Sequence, residues 1–406
     1  MVFSNRQRPS LLRARRQRTS NSRCLSSALR PSLGNRRNRT SRVMQSRSSQ
    51  AAANFSGDRL RLARYRAGLN IRELAEAVDL SSGAISQYET GRATPTPAGL
   101  AKLAMATGVP AAFLTFGTRS VSMAGLEGTH FRSLRSTSKQ TRANAWTWSE
   151  MVLDLTQVLE RYVRLPSASV PVHTLVPGAS REEFRAAAAL VRTEWCLPDG
   201  PVGHLARHME THGIVISRLT LADGGIDAFS QYQSDHPVVV LGENKGDIAR
   251  SRFDLAHELG HLVCHPEADP GGTQENQAHG FAAEFLMPEE HMRAVLPRRY
   301  DLGTYVKLKQ EWGVSIAALL YRARTLEVIT DVAYRRAVVA LNSQYGRRNE
   351  PFPLQSPDDP SLLAQAVALA ESNGISLDSI ANDAHIALED AALIVAGSRA
   401  RPVVAL

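Results

Sequence analysis

The chain has 406 residues, 43% of them hydrophobic, with a formal net charge of +9. That length accommodates two or three domains, each with ample core. No apolar run approaches a membrane span, which argues against a membrane protein, and three scattered cysteines (Cys24, Cys196, Cys264) exclude a disulfide framework and suit a reducing cytoplasm.

The charge is unevenly placed. Residues 1–57 hold 13 Arg and no Asp, Glu or Lys, so the rest of the chain is about four units negative. Residues 1–55, rich in Arg and Ser and poor in apolar side chains, are expected to be disordered. Three readings stay open: a basic arm adding non-specific DNA affinity, a segment with transit-peptide composition, or an extension from a misassigned start codon.

From Asp58 the pattern becomes helical. Asp58–Leu69 reads as a basic amphipathic helix ended by Gly68. Asn70 caps a helix from Ile71 to Val78, with Glu73 placed for a capping box. Asp79 occupies a tight turn, where it tolerates a left-handed backbone. Ser81 then caps Ser82–Glu89, and Pro95 and Pro97 open a fourth helix. This is a helix-turn-helix layout in a bundle spanning 56–117. The run Ile71–Pro95 resembles the XRE (Cro and phage repressor-like) DNA-binding family. The resemblance implies that Ser82–Glu89 enters the major groove of an operator. Ser82, Gly83, Ser86 and Gln87 would touch bases or phosphates there, Arg92 is a candidate phosphate contact, and Arg64 and Glu89 fall where the family often has a packed ion pair. Such domains commonly bind as homodimers. The helix is short of Arg and Lys, so affinity would lean on neighbouring Arg residues and on dimerisation.

Residues 118–141 read as a polar linker. A long helix follows from Arg142 to Val163, broken by Pro166, then helices Glu182–Trp195 and His204–His212. Gly213–Leu219, Gly225–Ser230 and His236–Gly242 are β-rich runs. A small sheet beside active-site helices suits a peptidase, whose edge strand can hold extended substrate. His204, His208, His212 and His236 read as structural or solvent-facing.

The segment Arg252–His261 carries His-Glu-x-x-His in an apolar helical frame. Two His four apart share a helix face, one turn apart, so His257 and His261 can reach one ion. Glu258 is placed to take a proton from water without being a ligand. Gly260 would let another backbone approach closely. A structural zinc cage would need more Cys than Cys264 supplies. The segment Glu275–Pro288 reads as a second helix, with Ala278 and Ala282 on the face that Glu275 shares. Small residues there would let two helices share one ion. Glu275 is the expected third ligand, giving a His-His-Glu set. His279 is a rival, and Glu284 reads as a solvated charge. Tyr232 and His279 are conceivable oxyanion partners.

Together, Arg252–Val263 and Glu275–Pro288 resemble the ImmA/IrrE family of zinc metallopeptidases, with flanking likeness at Trp195–Val202, Gly225–Ser230 and Leu308–Ile316. The resemblance spans roughly residues 140–345. It implies a gluzincin-like fold, zinc on His257, His261 and Glu275, Glu258 as general base, and a repressor-like regulatory protein as substrate. Many members have Glu before the residue matching Ala278, where this chain has Gln277.

Downstream, a helix runs from Ser315 to Leu326, residues 344–360 read as a linker, and 361–406 as a helical tail broken at Gly374–Ser376. The tail could pack on the peptidase, join a dimer or block the cleft. The expected fold is mainly α with a small β-sheet: an N-terminal helix-turn-helix bundle, an α+β metallopeptidase domain over 142–343, and the tail. The expected function is a transcriptional regulator that cuts a regulatory protein. The alternative is a non-proteolytic transcription factor, or antitoxin-like module, whose peptidase fold senses a signal.

Overall fold

The computed structural model describes residues 54–115, 121, 138–219, 228–233, 236–242, 247–265, 272–346 and 349–398. The expectations for residues 1–53 and for nearly all of the 118–137 linker lie outside them. Phe55, within the stretch expected to be disordered, is buried and bridges Thr115.

The first unit is a bundle of α1 (Gly57–Arg66), α2 (Ile71–Val78), α3 (Ser82–Glu89), α4 (Pro97–Thr107) and a 3-10 turn, Ala111–Leu114. Its local signals act as the sequence suggests. Asn70 accepts from the Arg72 and Glu73 N–H groups while Glu73 accepts from the Asn70 N–H, closing the capping box. Asp79 is left-handed at φ 59°, turning the chain toward α3. Leu60, Leu74, Ile85, Leu103 and Phe113 fill the core. Arg64 donates to both Glu89 oxygens at 2.5 and 2.9 Å, tying α1 to the end of α3 inside the bundle.

The rest of the chain runs through α5 (Lys139–Leu159), α6 (Arg181–Glu194), α7 (Leu205–Thr211), β1 (Val215–Arg218), β2 (Ala228–Gln233) and β3 (His236–Leu241). Then come α8 (Ile248–Cys264), α9 (Gly272–Leu286), α10 (Glu289–Val295), α11 (Leu302–Trp312), α12 (Ile316–Thr325) and α13 (Asp331–Tyr345). The chain closes with α14 (Leu362–Ser372), α15 (Leu377–Asp383) and α16 (Leu388–Ala396). The long helix starts three residues earlier than expected, because Ser138 caps it, and stops at Leu159 rather than Val163.

The sheet order is β1-β3-β2, with β1 parallel and β2 antiparallel to the central strand. Both faces are covered, which explains the unbroken apolar run Pro237–Leu241. Side chains alternate along a strand, so Val238 and Val240 join the core shared with α5, the bundle and α14–α16. Val239 and Leu241 join the opposite core, under α8 and α9.

The C-terminal helices therefore lie against the bundle and the sheet. Arg66 of α1 grips both Asp390 oxygens at 2.5 and 2.6 Å and donates to the Thr107 carbonyl. Ser217 of β1 donates to the Ile394 carbonyl, and Arg218 N–H to that of Gly397. The stretch read as a linker is also used structurally. Asp358 accepts from Arg252 at 2.5 Å and from the Leu205 N–H, and Glu350 accepts from the N–H groups of Ile316 and Ala317.

Arg64 and Glu89 are both almost fully buried. Replacing Glu89 by Ala leaves the guanidinium without its carboxylate, and a broken buried pair costs about 3–5 kcal/mol. The expected outcome for Glu89→Ala is a clear drop in the thermal midpoint, measured by calorimetry.

Candidate metal centre and DNA-reading face

Two helices make the centre. α8 presents His257, Glu258 and His261, and α9 presents Glu275. Their approach depends on Gly260: a Cβ there would stand 2.9 Å from the Phe281 ring and 3.2 Å from the Ala278 backbone. Gly260 and Ala278 thus let α8 and α9 pack tightly enough to bring donors from both to one point.

His257 Nε2 lies 3.1 Å from His261 Nε2 and 3.2 Å from Glu275 Oε2. Glu275 Oε1, itself buried, meets His261 Nε2 at 3.4 Å in a geometry that makes no hydrogen bond. A tetrahedral ion with bonds of about 2.0–2.1 Å has donor–donor edges of about 3.3 Å. The three side chains therefore fit a zinc-sized cation, and the mix of two imidazoles and one carboxylate is zinc-like chemistry. Burial works against charge on Glu275, yet the two imidazoles hold its carboxyl far below the usual range. Burial pushes His261 down to about 4, so it is neutral and able to give a lone pair. His257 also resists charging through burial, but Glu275 and the neighbouring carboxylates raise it overall.

Behind His261 runs a chain of hydrogen bonds that fixes its tautomer. The Val176 carbonyl accepts from Gln277 Nε2 at 2.6 Å, so Gln277 Oε1 faces His265 and accepts from its Nε2 at 2.8 Å. His265 Nδ1 must then accept, at 3.2 Å, from His261 Nδ1. That leaves the His261 lone pair on Nε2, the atom facing Glu275. Gln277, where many members of the resembling family carry Glu, is thus the polar anchor of this chain. In the sequence His265 stands out only beside Cys264, as part of an incomplete structural zinc set, and Gln277 only as a departure from the resembling family, so neither points to this role. Cys264 itself lies in the apolar core, its thiol pushed up to about 12 by burial.

Glu258 is buried, and Ser230 Oγ of β2 donates to its Oε2 at 2.7 Å. Burial outweighs the opposing influence of His257 and Ser230 and lifts its carboxyl to about 7. Such a group exchanges a proton readily near neutral pH. No spacing rule could single out Ser230, which lies 28 residues before Glu258 and reaches it only through the sheet.

The rival residues are placed elsewhere. His279 is exposed, and its ring lies tilted against Phe253, with centroids 4.9 Å apart, rather than joining the donors. Glu284 is not solvated. It is buried and paired with Arg322 at 2.6 Å, because its helix face turns toward α12. The Tyr232 side chain lies outside the described residues. His204 caps α7, and His236 bridges the Glu160 carboxylate and the Gly213 carbonyl.

On the bundle, Ser82, Gly83, Ser86 and Gln87 are all exposed on α3, opposite the buried Ile85. Arg92 is exposed in the following loop, which its own N–H holds to the Gln87 carbonyl at 2.9 Å.

Residues 209–324 match the peptidase family described as IrrE N-terminal-like domain, and residues 57–113 match a helix-turn-helix domain. No curated protein matches the chain. The chain thus joins a helix-turn-helix domain to an IrrE-like, protease-like domain, the fusion that the two motif sets imply.

Gln277→Leu keeps the side-chain bulk and removes the anchor of the tautomer chain. Loss of such outer hydrogen bonds typically weakens metal affinity by about 10–100-fold. Competition titration with a chromogenic chelator is expected to show that loss, with circular dichroism unchanged.

Proposed function

We propose that this chain is a DNA-binding transcriptional regulator whose zinc-dependent endopeptidase cuts a repressor-like regulatory protein. The observation that carries the reading is three donor atoms, on His257, His261 and Glu275, at mutual separations of 3.1–3.4 Å beside a buried Glu258. In this reading those three residues hold zinc. When bound, zinc supplies Lewis acidity, polarising the scissile carbonyl and acidifying water.

The remaining work falls to the protein. Glu258 takes a proton from the attacking water and delivers it to the leaving amine. Ser230 occupies Oε2 of Glu258, so Oε1 is the atom that carries the proton. The burial of Glu258 suits that shuttle, since a desolvated carboxylate binds and releases a proton near neutrality. The His265–Gln277 chain keeps His261 in its ligand tautomer.

Ser82, Gly83, Ser86 and Gln87 read bases or phosphates of a double-stranded operator, with Arg92 on the backbone. The protein works as a homodimer on paired half-sites, in the cytoplasm. The domain limits that go with this reading are 56–117 for the DNA reader and 142–343 for the peptidase, with α14–α16 bracing the two.

The test uses wild type and Glu258→Gln, each loaded with zinc and incubated with cell extract and with the product of the neighbouring gene. Cut peptides are identified by mass spectrometry. Loss of the proton shuttle is expected to lower cleavage by about 10²–10⁴-fold, with operator affinity unchanged. Normal operator binding without any Glu258-dependent cut would sink the peptidase reading and leave the sensing role.

A further inference from the structure

Beside the donors, α8 and α9 open onto a cavity of about 830 Å³. Its lining begins one helical turn from the metal donors on each helix. On α8, Arg250, Phe253 and Asp254 precede His257 by seven, four and three residues, which is the spacing of one face. On α9, His279 follows Glu275 by four. The His279 ring joins the two places: its centroid is 6.4 Å from that of His257, 4.9 Å from Phe253 and 6.3 Å from Tyr321 of α12, across the cavity. A peptide whose scissile bond lay at the donors would therefore have a neighbouring side chain directed here.

The chemistry of the walls sets what fits. The aromatic and aliphatic surface comes from Phe184, Phe253, Met287 and Tyr321. Most of the charged lining residues are engaged, with one another, with Lys309 or with backbone N–H groups. Arg250 stands 4.0 Å from Asp254, and Arg322 stands 2.6 Å from Glu284 with both side chains almost fully buried. Glu350 is held by Lys309 and by the first N–H groups of α12. A charged guest would meet walls whose charge is already compensated, whereas an apolar guest gains the full benefit of leaving water. Ala283 on α9 and Ala318 on α12 keep the space open. Cavities of this size hold more than one side chain.

We propose that this cavity is the specificity subsite of the centre, taking a bulky uncharged side chain, aromatic or long aliphatic, next to the scissile bond. Ala283 and Ala318 are its size-determining residues. The assignment rests on the peptidase reading above.

The experiment has two arms, both on the full zinc-loaded chain. In the first, a degenerate peptide mixture is digested and the residues flanking each cut are read by mass spectrometry. One fixed side of the cut is expected to favour Phe, Tyr, Leu or Met over Asp, Glu, Lys or Gly by about tenfold or more. Ala283→Phe is expected to shift that preference to small residues with zinc affinity unchanged. Cuts without side-chain preference, a preference for charge, or a preference that Ala283→Phe leaves alone would overturn the proposal. The second arm needs no cleavage. A dansyl-Leu-Phe-amide probe is titrated by fluorescence anisotropy into Glu258→Gln, alone and combined with Ala283→Phe, against dansyl-Gly-Glu-amide. Binding of the apolar probe that weakens about tenfold with Ala283→Phe supports the cavity as the apolar side-chain pocket; if the wild type also cuts nothing, the peptidase reading and the subsite assignment fall together and only an apolar ligand site is left. Equal binding of both probes, or none, overturns it. Ala318→Phe, on the opposite wall, serves in both arms if Ala283→Phe fails to fold.

Discussion

The close approach of α8 and α9 is the constraint on which the rest of the structure depends. Neither helix alone carries a complete donor set. His257 and His261 belong to one, Glu275 to the other, and they meet because Gly260 and Ala278 put almost nothing between the backbones. The cost is a glycine inside a helix, about 1 kcal/mol relative to Ala. Phe281, Ala282 and Phe285 then bury the seam, so the distance between donors is set by packing rather than by the donors themselves.

The sheet connects this centre to the helix-turn-helix bundle. β2 turns Ser230 toward Glu258 and the next residue, Gln231, the opposite way, where it donates to Glu150 at 2.8 Å and accepts from Ser149 at 2.5 Å on α5. About one turn along α5, Asp154 holds Arg59 of the helix-turn-helix bundle. Buried polar groups thus lie on both sides of β2, Ser230 with Glu258 on one and Gln231 with Glu150 and Ser149 on the other, and Asp154 of the same helix α5 holds the bundle. Buried polar groups of this kind specify one arrangement, because any other leaves desolvated atoms without partners. The bundle and the peptidase-like half accordingly share one core rather than hanging on a flexible tether.

The C-terminal helices reinforce this unity. Asp390, buried on α16, fixes Arg66, while the Ile394 and Gly397 carbonyls take hydrogen bonds from β1. An ion pair that links residues 324 positions apart closes the chain on itself.

Short-range physics made much of this legible in the sequence. The capping box at Asn70, the left-handed Asp79 and the Ser81 cap involve residues no more than four apart, so composition and spacing sufficed to place α2 and α3 to the residue. The two His of α8 share a face by helical geometry alone, and Gly260 with Ala278 announced a close helix pair. Long-range pairing left no such trace. Ser230 behind Glu258, Asp390 on Arg66 and Asp358 on Arg252 are joined across 28 to 324 residues, and each looks like an ordinary surface residue in the sequence. Glu284 is the sharpest instance: its spacing suits a solvated helix charge, but α12 packs over it and supplies Arg322. Periodicity decides which residues share a face. Only the tertiary structure decides what that face meets, because the partner is chosen by shape and by the need to pair every buried charge.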